Sequence, residues 1–100
     1  MLEKDIERWC RDYATQRGAL MLKFTSPGTA GVPDRVLITQ GGTVFVEFKR
    51  EGGKATPLQK AVMRKITNAG GHCYVITNRE AFIELLATIS TGGRDSPLRA

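Results

Sequence analysis

The chain of 100 residues is long enough for one small domain with a modest core and too short for two. A hydrophobic fraction of 41% and a charged fraction of 25% are ordinary for a soluble globular protein, and no apolar run is long enough to span a bilayer. The net charge of +5 favours a polyanionic partner, most commonly nucleic acid, over a membrane surface, because no basic amphipathic helix exposes large apolar residues.

The cysteine and histidine content argues against a disulfide framework or a zinc site. Cys10 and Cys73 are not spaced as Cys-x-x-Cys, and His72 is the only histidine, whereas structural zinc needs four ligands. No apolar signal segment follows the N-terminus. We therefore predict a cytoplasmic protein with two reduced thiols and no membrane anchor.

The first predicted element is an amphipathic helix over residues 2–17, which ends at Gly18. Strands follow over residues 20–24, 35–39 and 43–50, separated by a loop with two glycines and a proline and by a tight turn. Thr56 then forms a capping box with Gln59 and starts a second helix, which runs to about residue 68. The last predicted elements are a strand over residues 72–77 and a helix over residues 78–89.

This order predicts an α/β fold of the αβββαβα type, with a mixed central sheet flanked by helices. The first three strands can form an antiparallel meander, and the third and fourth strands are joined by a right-handed helical crossover, which makes them parallel neighbours. We expect one domain over residues 1–90 and a flexible tail over residues 91–100.

The third predicted strand contains two candidate catalytic residues, Glu47 and Lys49. Side chains alternate along a strand, so Val44, Val46 and Phe48 share a core-facing side, and Glu47 lies beside Lys49 on the other. These charges could belong to a solvated sheet face, but the parallel crossover should place this strand in the interior. Because buried charges need a partner or a metal ion, and Asp34 opens the neighbouring strand, we predict a divalent cation between Asp34 and Glu47.

Magnesium suits this pair of carboxylates, since it prefers oxygen ligands and keeps several waters. The backbone carbonyl of Phe48, next to Glu47, is a further candidate ligand. We assign Lys49 an electrostatic role at the reacting phosphate, because neighbouring carboxylates favour its charged form over a neutral general base.

Three segments resemble the VRR-NUC domain of the PD-(D/E)xK nuclease superfamily, in the compact stand-alone form of phages and prophages. They are Gly-Val-Pro-Asp-Arg at residues 31–35, Phe-Val-Glu-Phe-Lys at residues 45–49, and Gln59 in Thr-Pro-Leu-Gln. The resemblance covers roughly residues 3–85 and implies a restriction-endonuclease-like core.

The resemblance implies an endonuclease that depends on Mg²⁺ or Mn²⁺, with Asp34 and Glu47 as metal ligands and Lys49 as the catalytic lysine. It also implies a metal-binding carboxylate on the first helix. Glu3 fits best by position and Glu7, one turn further, is the alternative. Glu3 could instead only complement the helix dipole.

Gln59 matches the family's glutamine near the site, although the capping box alone would also explain it. The resemblance to stand-alone members implies a homodimer that acts on branched DNA such as Holliday junctions. It also implies a phage or prophage protein in the cytoplasm of a bacterial host. The alternatives are a module that binds branched DNA without cutting it and a nuclease subunit of a larger phage complex.

The remaining polar residues near the predicted site are candidates for DNA contacts or simply a solubilising surface. We predict phosphate contacts from residues in or beside the loops around the site. These are Lys23, Ser26, Arg35, Arg50, Lys54 and Lys60.

Overall fold

A computed structural model describes residues 2–91 and shows a four-stranded mixed sheet with helices packed on both of its faces. The element order is the predicted one. The elements are α1 (Glu3–Gln16), β1 (Leu20–Lys23), β2 (Arg35–Thr39), β3 (Gly42–Phe48), α2 (Pro57–Asn68), β4 (Cys73–Ile76) and α3 (Arg79–Thr91). The predicted α/β fold is thus confirmed.

The strands lie side by side in chain order, β1-β2-β3-β4. The pairs β1–β2 and β2–β3 are antiparallel, with Leu37 opposite Val44, and β3–β4 is parallel, with Glu47 opposite Val75. The antiparallel pairs need only short connections, whereas the parallel pair needs a long crossover, which α2 supplies. This places β3 between two neighbouring strands.

The hydrophobic core lies between one face of the sheet and helices α1 and α3. Val44, Val46 and Phe48 are 0% exposed, as the alternation along β3 predicts. They join Ile6 from α1 and Phe82 from α3 in one cluster. The opposite face of β3 is therefore the one that carries Glu47.

Helix α2 begins at the predicted capping box. The Thr56 hydroxyl accepts a hydrogen bond from the Gln59 N–H (3.1 Å), and Gln59 Oε1 accepts one from the Thr56 N–H (2.9 Å). Pro57, which has no N–H to leave unpaired, occupies the first helical position. The start of α2 is therefore set by three local signals within four residues, Thr56, Pro57 and Gln59.

Some predicted boundaries differ from the structure by one or two residues. β3 ends at Phe48 instead of residue 50, although the Lys49 N–H still donates to the Ile76 carbonyl (3.0 Å). Helix α3 extends to Thr91, the first residue of the predicted tail, and residues 92–100 lie outside the described part of the chain. Within residues 2–91, no helix has the length and hydropathy needed to cross a membrane.

Candidate active site

The adjacent strands β2 and β3 bring Asp34, Glu47 and Lys49 together. Asp34 immediately precedes β2, and its Oδ1 accepts a hydrogen bond from the Phe48 N–H on β3 (3.4 Å). Lys49 Nζ lies 3.4 Å from Glu47 Oε2. The structure therefore places the two carboxylates and the lysine around one point of the sheet.

Glu47 is the one charged residue buried among the described residues, at 4% exposure. Burial raises the pKa of its carboxyl group, while the charge and hydrogen bonding of Lys49 oppose the rise. Burying a carboxylate is costly unless its charge is compensated, and the Lys49 ammonium at 3.4 Å compensates that of Glu47 only in part, since the pKa remains raised.

The pKa of the second carboxylate, Asp34, is raised as well. Burial first, and the charge of Glu47 second, raise the pKa of Asp34 from 3.8 to about 6, against the lowering effect of the Phe48 N–H and of Arg35. The buried carboxylate of Glu47 and the half-buried carboxylate of Asp34 repel one another and form a site with a deficit of positive charge. That is the electrostatic environment in which a divalent cation binds.

Gln59 belongs both to the capping box of α2 and to this site. The Thr56 N–H donates to its Oε1 (2.9 Å), which leaves its Nε2 to donate to Glu47 Oε2 (3.2 Å). One amide side chain therefore makes both the capping contact and a contact to Glu47.

The two candidate carboxylates of α1 differ in their surroundings. Glu7 Oε2 accepts a hydrogen bond from Arg35 Nε (3.2 Å), and Glu7 Oε1 lies 3.7 Å from Arg11 NH1. Glu3, in contrast, contributes a charge that raises the pKa of both Asp34 and Glu47. Glu7 is therefore paired with two arginines, whereas the negative charge of Glu3 lies near enough to raise the pKa of both site carboxylates.

The predicted DNA contacts fall into two groups. Lys23, Lys54 and Lys60 have exposed side chains. The guanidinium groups of the two arginines are already engaged, because Arg35 binds Glu7 and the Asp34 carbonyl (3.0 Å), and Arg50 donates to the Glu51 carbonyl (3.2 Å).

Ser26 contributes its backbone to the loop before the site, where its carbonyl accepts from the Thr29 N–H (3.1 Å). The same loop contains Gly31, which has a φ of +88° and approaches α2 so closely that an added Cβ would lie 2.9 Å from Leu58 Cγ. Sequence reasoning missed this role of Gly31. Its place two residues before Pro33 is the signal that could have indicated it.

Among the described residues, no group of three or more His, Cys, Asp or Glu side chains is arranged to hold a metal ion. The compact donor set is the pair Asp34 and Glu47. Two carboxylates suffice for Mg²⁺ when water and a substrate phosphate complete the shell.

The chain is similar to a curated protein and to a solved structure, although no family model matches it. The chain is 33% identical over 89 residues to the protein named "Putative nuclease p44" of Acyrthosiphon pisum secondary endosymbiont phage 1, which covers 88% of this chain and 95% of that protein. It also superposes on a solved VRR-NUC domain with a TM-score of 0.75 and 23% identity, covering 85% of this chain and 94% of that one. The first likeness shows that this chain belongs to the family of that putative phage nuclease, and the second shows that it has the fold of a VRR-NUC domain.

Proposed function

We propose that this protein is a metal-dependent DNA endonuclease that hydrolyses phosphodiester bonds. The observation that carries the proposal is the meeting of Asp34, Glu47 and Lys49 on adjacent strands, with Glu47 buried at 4% exposure. A charged cluster at such a position costs stability, which is typical of functional sites. Membership of a nuclease family supports the same conclusion.

The residues present fit Mg²⁺ or Mn²⁺. Asp34 and Glu47 offer hard oxygen ligands, and the positive charge of a bound dication would lower their raised pKa values again. The negative charge of Glu3 helps to raise both pKa values. We therefore assign Asp34 and Glu47, the pair that lies together in the structure, as carboxylate ligands, and propose that Glu3 joins them only when the ion is bound. When bound, such an ion polarises the phosphodiester and lowers the pKa of coordinated water.

The backbone carbonyl of Phe48 is the fourth proposed ligand. The β2–β3 register pairs Arg35 with Val46, so that continuing the ladder by two residues would place Pro33 opposite Phe48. Proline has no N–H to donate to that carbonyl. The side chain of Asp34 takes the Phe48 N–H instead (3.4 Å). The proline before Asp34 thus supports a free carbonyl oxygen beside the carboxylates.

Lys49 and Gln59 act on the reacting groups in different ways. The Lys49 side chain is only 17% exposed, so its ammonium charge is partly shielded from water and can stabilise negative charge on the phosphate in the transition state. Gln59 Nε2 fixes one oxygen of Glu47 (3.2 Å), which leaves the other oxygen of that carboxylate to face a ligand.

Direct hydrolysis by water is favoured over a covalent enzyme intermediate. Burial and the charge of Glu7 raise the pKa of the Cys10 thiol to about 12, and burial also raises that of Cys73. Both thiols therefore stay protonated and are poor nucleophiles.

Within this activity we propose branched DNA, such as a four-way junction, as the preferred substrate and a homodimer as the acting unit in the host cytoplasm. The open side of β1 and β2 supports a dimer, because Leu20, Leu22 and Ile38 are 51%, 45% and 37% exposed on neighbouring strands. A two-fold symmetric pair of sites would suit a substrate with two equivalent strands.

The test is cleavage of a four-way junction, a flap, a duplex and a single strand with Mg²⁺, Mn²⁺ or chelator. We expect cuts only with the divalent ion, and a rate at least about a thousandfold lower, or about 4 kcal/mol of lost transition-state stabilisation, in Asp34→Asn or Glu47→Gln. Glu84→Gln, which neutralises an exposed carboxylate on α3, is the matched control and should cleave normally.

Each alternative gives a different result. Metal-independent binding with no cuts on any substrate would make the protein a binding module, and cuts that appear only with an added phage protein would make it a subunit. Normal cleavage by Asp34→Asn would refute the assigned site. Sedimentation at micromolar concentration measures the dimer separately.

A further inference from the structure

Positive charge is concentrated in one stretch of the chain. Residues 52–79 contain no Asp or Glu, and α2 carries three cations in the middle of this stretch. Helix α1 has four carboxylates against three cations, and α3 has two carboxylates against one cation. Of the three helices in the described chain, α2 alone has a net positive charge. Its cations are Lys60, Arg64 and Lys65.

The inward side of α2 is uncharged and its solvent side is basic. Val62 is buried, and Ile66 packs closely against Gly71. Lys60 and Arg64 are both exposed and lie one helical turn apart, on the same side of the helix. None of the ion pairs found within residues 2–91 involves either of them.

This basic side begins at the candidate active site. Gln59 donates to Glu47, and Lys60 is the next residue of the helix. At 1.5 Å per residue, Arg64 lies about 7.5 Å further along the axis than Gln59. The N-terminal end of the helix dipole, which is positive, points back toward the same site. A negatively charged chain that passes Lys49 would therefore meet Lys60 and then Arg64.

The chemistry of this surface suits the backbone of a duplex better than a single strand. Single-strand platforms stack bases on aromatic side chains, and α2 has no aromatic residue. Lys60 and Arg64 are separated by about 6 Å along the helix, or roughly two axial steps of one DNA strand at 3.4 Å each.

We propose that the solvent side of α2 holds the phosphate backbone of a double-stranded DNA arm through Lys60 and Arg64. The proposal rests on the nuclease function proposed above and adds the path along which the substrate leaves the site. Such contacts position DNA without reading its sequence.

The experiment measures binding to a short random-sequence duplex, and to an oligo-dT strand of equal length, in chelator at several salt concentrations. Each phosphate contact contributes about 0.9 to the slope of log K against log[salt]. Lys60→Ala/Arg64→Ala should therefore lower the duplex slope by about 2. Equivalently, the ratio of wild-type to variant affinity should shrink about tenfold between about 50 and 200 mM salt.

The matched control is Lys4→Ala/Arg8→Ala, an exposed pair with the same spacing and the same change in charge on α1, where carboxylates surround it. Its slope should stay near the wild-type value, and Lys60→Arg/Arg64→Lys should restore the slope lost in the double alanine variant. Circular dichroism melting checks that all variants fold.

Equal slopes for the wild type and the α2 variant would overturn the proposal, and so would equal losses in the α2 and α1 variants or a larger loss on oligo-dT. Because binding is measured without divalent ions, the result is independent of cleavage. A protein that cuts DNA but shows equal slopes retains the nuclease function and loses the α2 path. A protein that never cuts DNA but shows the predicted difference in slope retains the α2 path and loses the proposed nuclease function.

Discussion

Gln59→Glu is the substitution that best separates the two contacts of the Gln59 side chain. A glutamate at this position can still accept from the Thr56 N–H, as Gln59 Oε1 does at 2.9 Å, so the capping box is kept. It cannot donate to Glu47 Oε2, which Gln59 Nε2 now does at 3.2 Å. The site thereby loses a donor and gains a third carboxylate beside two whose pKa values are already raised.

The expected magnitude follows from the bond that is lost. A hydrogen bond to a charged acceptor contributes about 1.5–3 kcal/mol. If that bond holds Glu47 in place during the reaction, kcat should fall by about ten- to a hundredfold. Thr56→Ala should lower stability and leave kcat nearly unchanged, because it removes the side-chain cap of the helix but keeps the backbone N–H that holds Gln59 Oε1.

Single-turnover cleavage at saturating Mg²⁺ and thermal unfolding, measured on both variants, provide the test. Thr56→Ala should cost about 1 kcal/mol of unfolding free energy, or roughly 4–8 °C in Tm, with a nearly unchanged rate. Gln59→Glu should lose rate out of proportion to stability. A wild-type rate for Gln59→Glu would show that the glutamine serves the helix start alone.

Three further substitutions test the site and the fold. The pKa of Asp34 is raised from 3.8 to about 6 in the folded protein, so in chelator the wild type should lose stability as pH rises from about 4 to above 6. Urea unfolding should therefore show Asp34→Asn to be more stable than wild type by about 1–2 kcal/mol at pH 8, after allowance for solvent screening. Below pH 4 the two proteins should be equally stable. Lys49→Ala should slow cleavage at least about a hundredfold while Mn²⁺ binding by calorimetry is kept, and a parallel loss of both would contradict its electrostatic role. Gly41→Ala should destabilise the protein by about 1–3 kcal/mol in thermal unfolding, because the added Cβ would overlap the Ile89 carbonyl. Gly28→Ala, with open space around its Cβ, is the control, and equal Tm values for these two would refute that reasoning.

The elements could be predicted because their signals are local. The period-two alternation of Val44, Val46 and Phe48 is the pattern of a strand with one buried face, and these residues are 0% exposed. The capping box at Thr56 fixed the start of α2 to the residue. Asp34 and Glu47 could be expected near one another because a tight turn makes the two strands it joins antiparallel neighbours.

The contacts that the sequence did not reveal connect distant parts of the chain. The guanidinium of Arg35, which we predict to contact phosphate, also donates to Glu7, a residue 28 positions earlier on a helix. Nothing local encodes that pairing, since it depends on how α1 crosses the sheet. The choice between Glu3 and Glu7 has the same origin, because one helical turn separates two residues of identical chemistry.

The interior position of β3 has a consequence for how the protein loses activity. The strand is bonded to β2 on one side and β4 on the other, so its amide hydrogens should exchange with solvent only when the whole domain opens. Glu47 then has no separate loosened state, and the reactive centre vanishes in the same cooperative step as the fold. Heating or mild denaturant should accordingly reduce the number of competent molecules while each survivor keeps its full turnover.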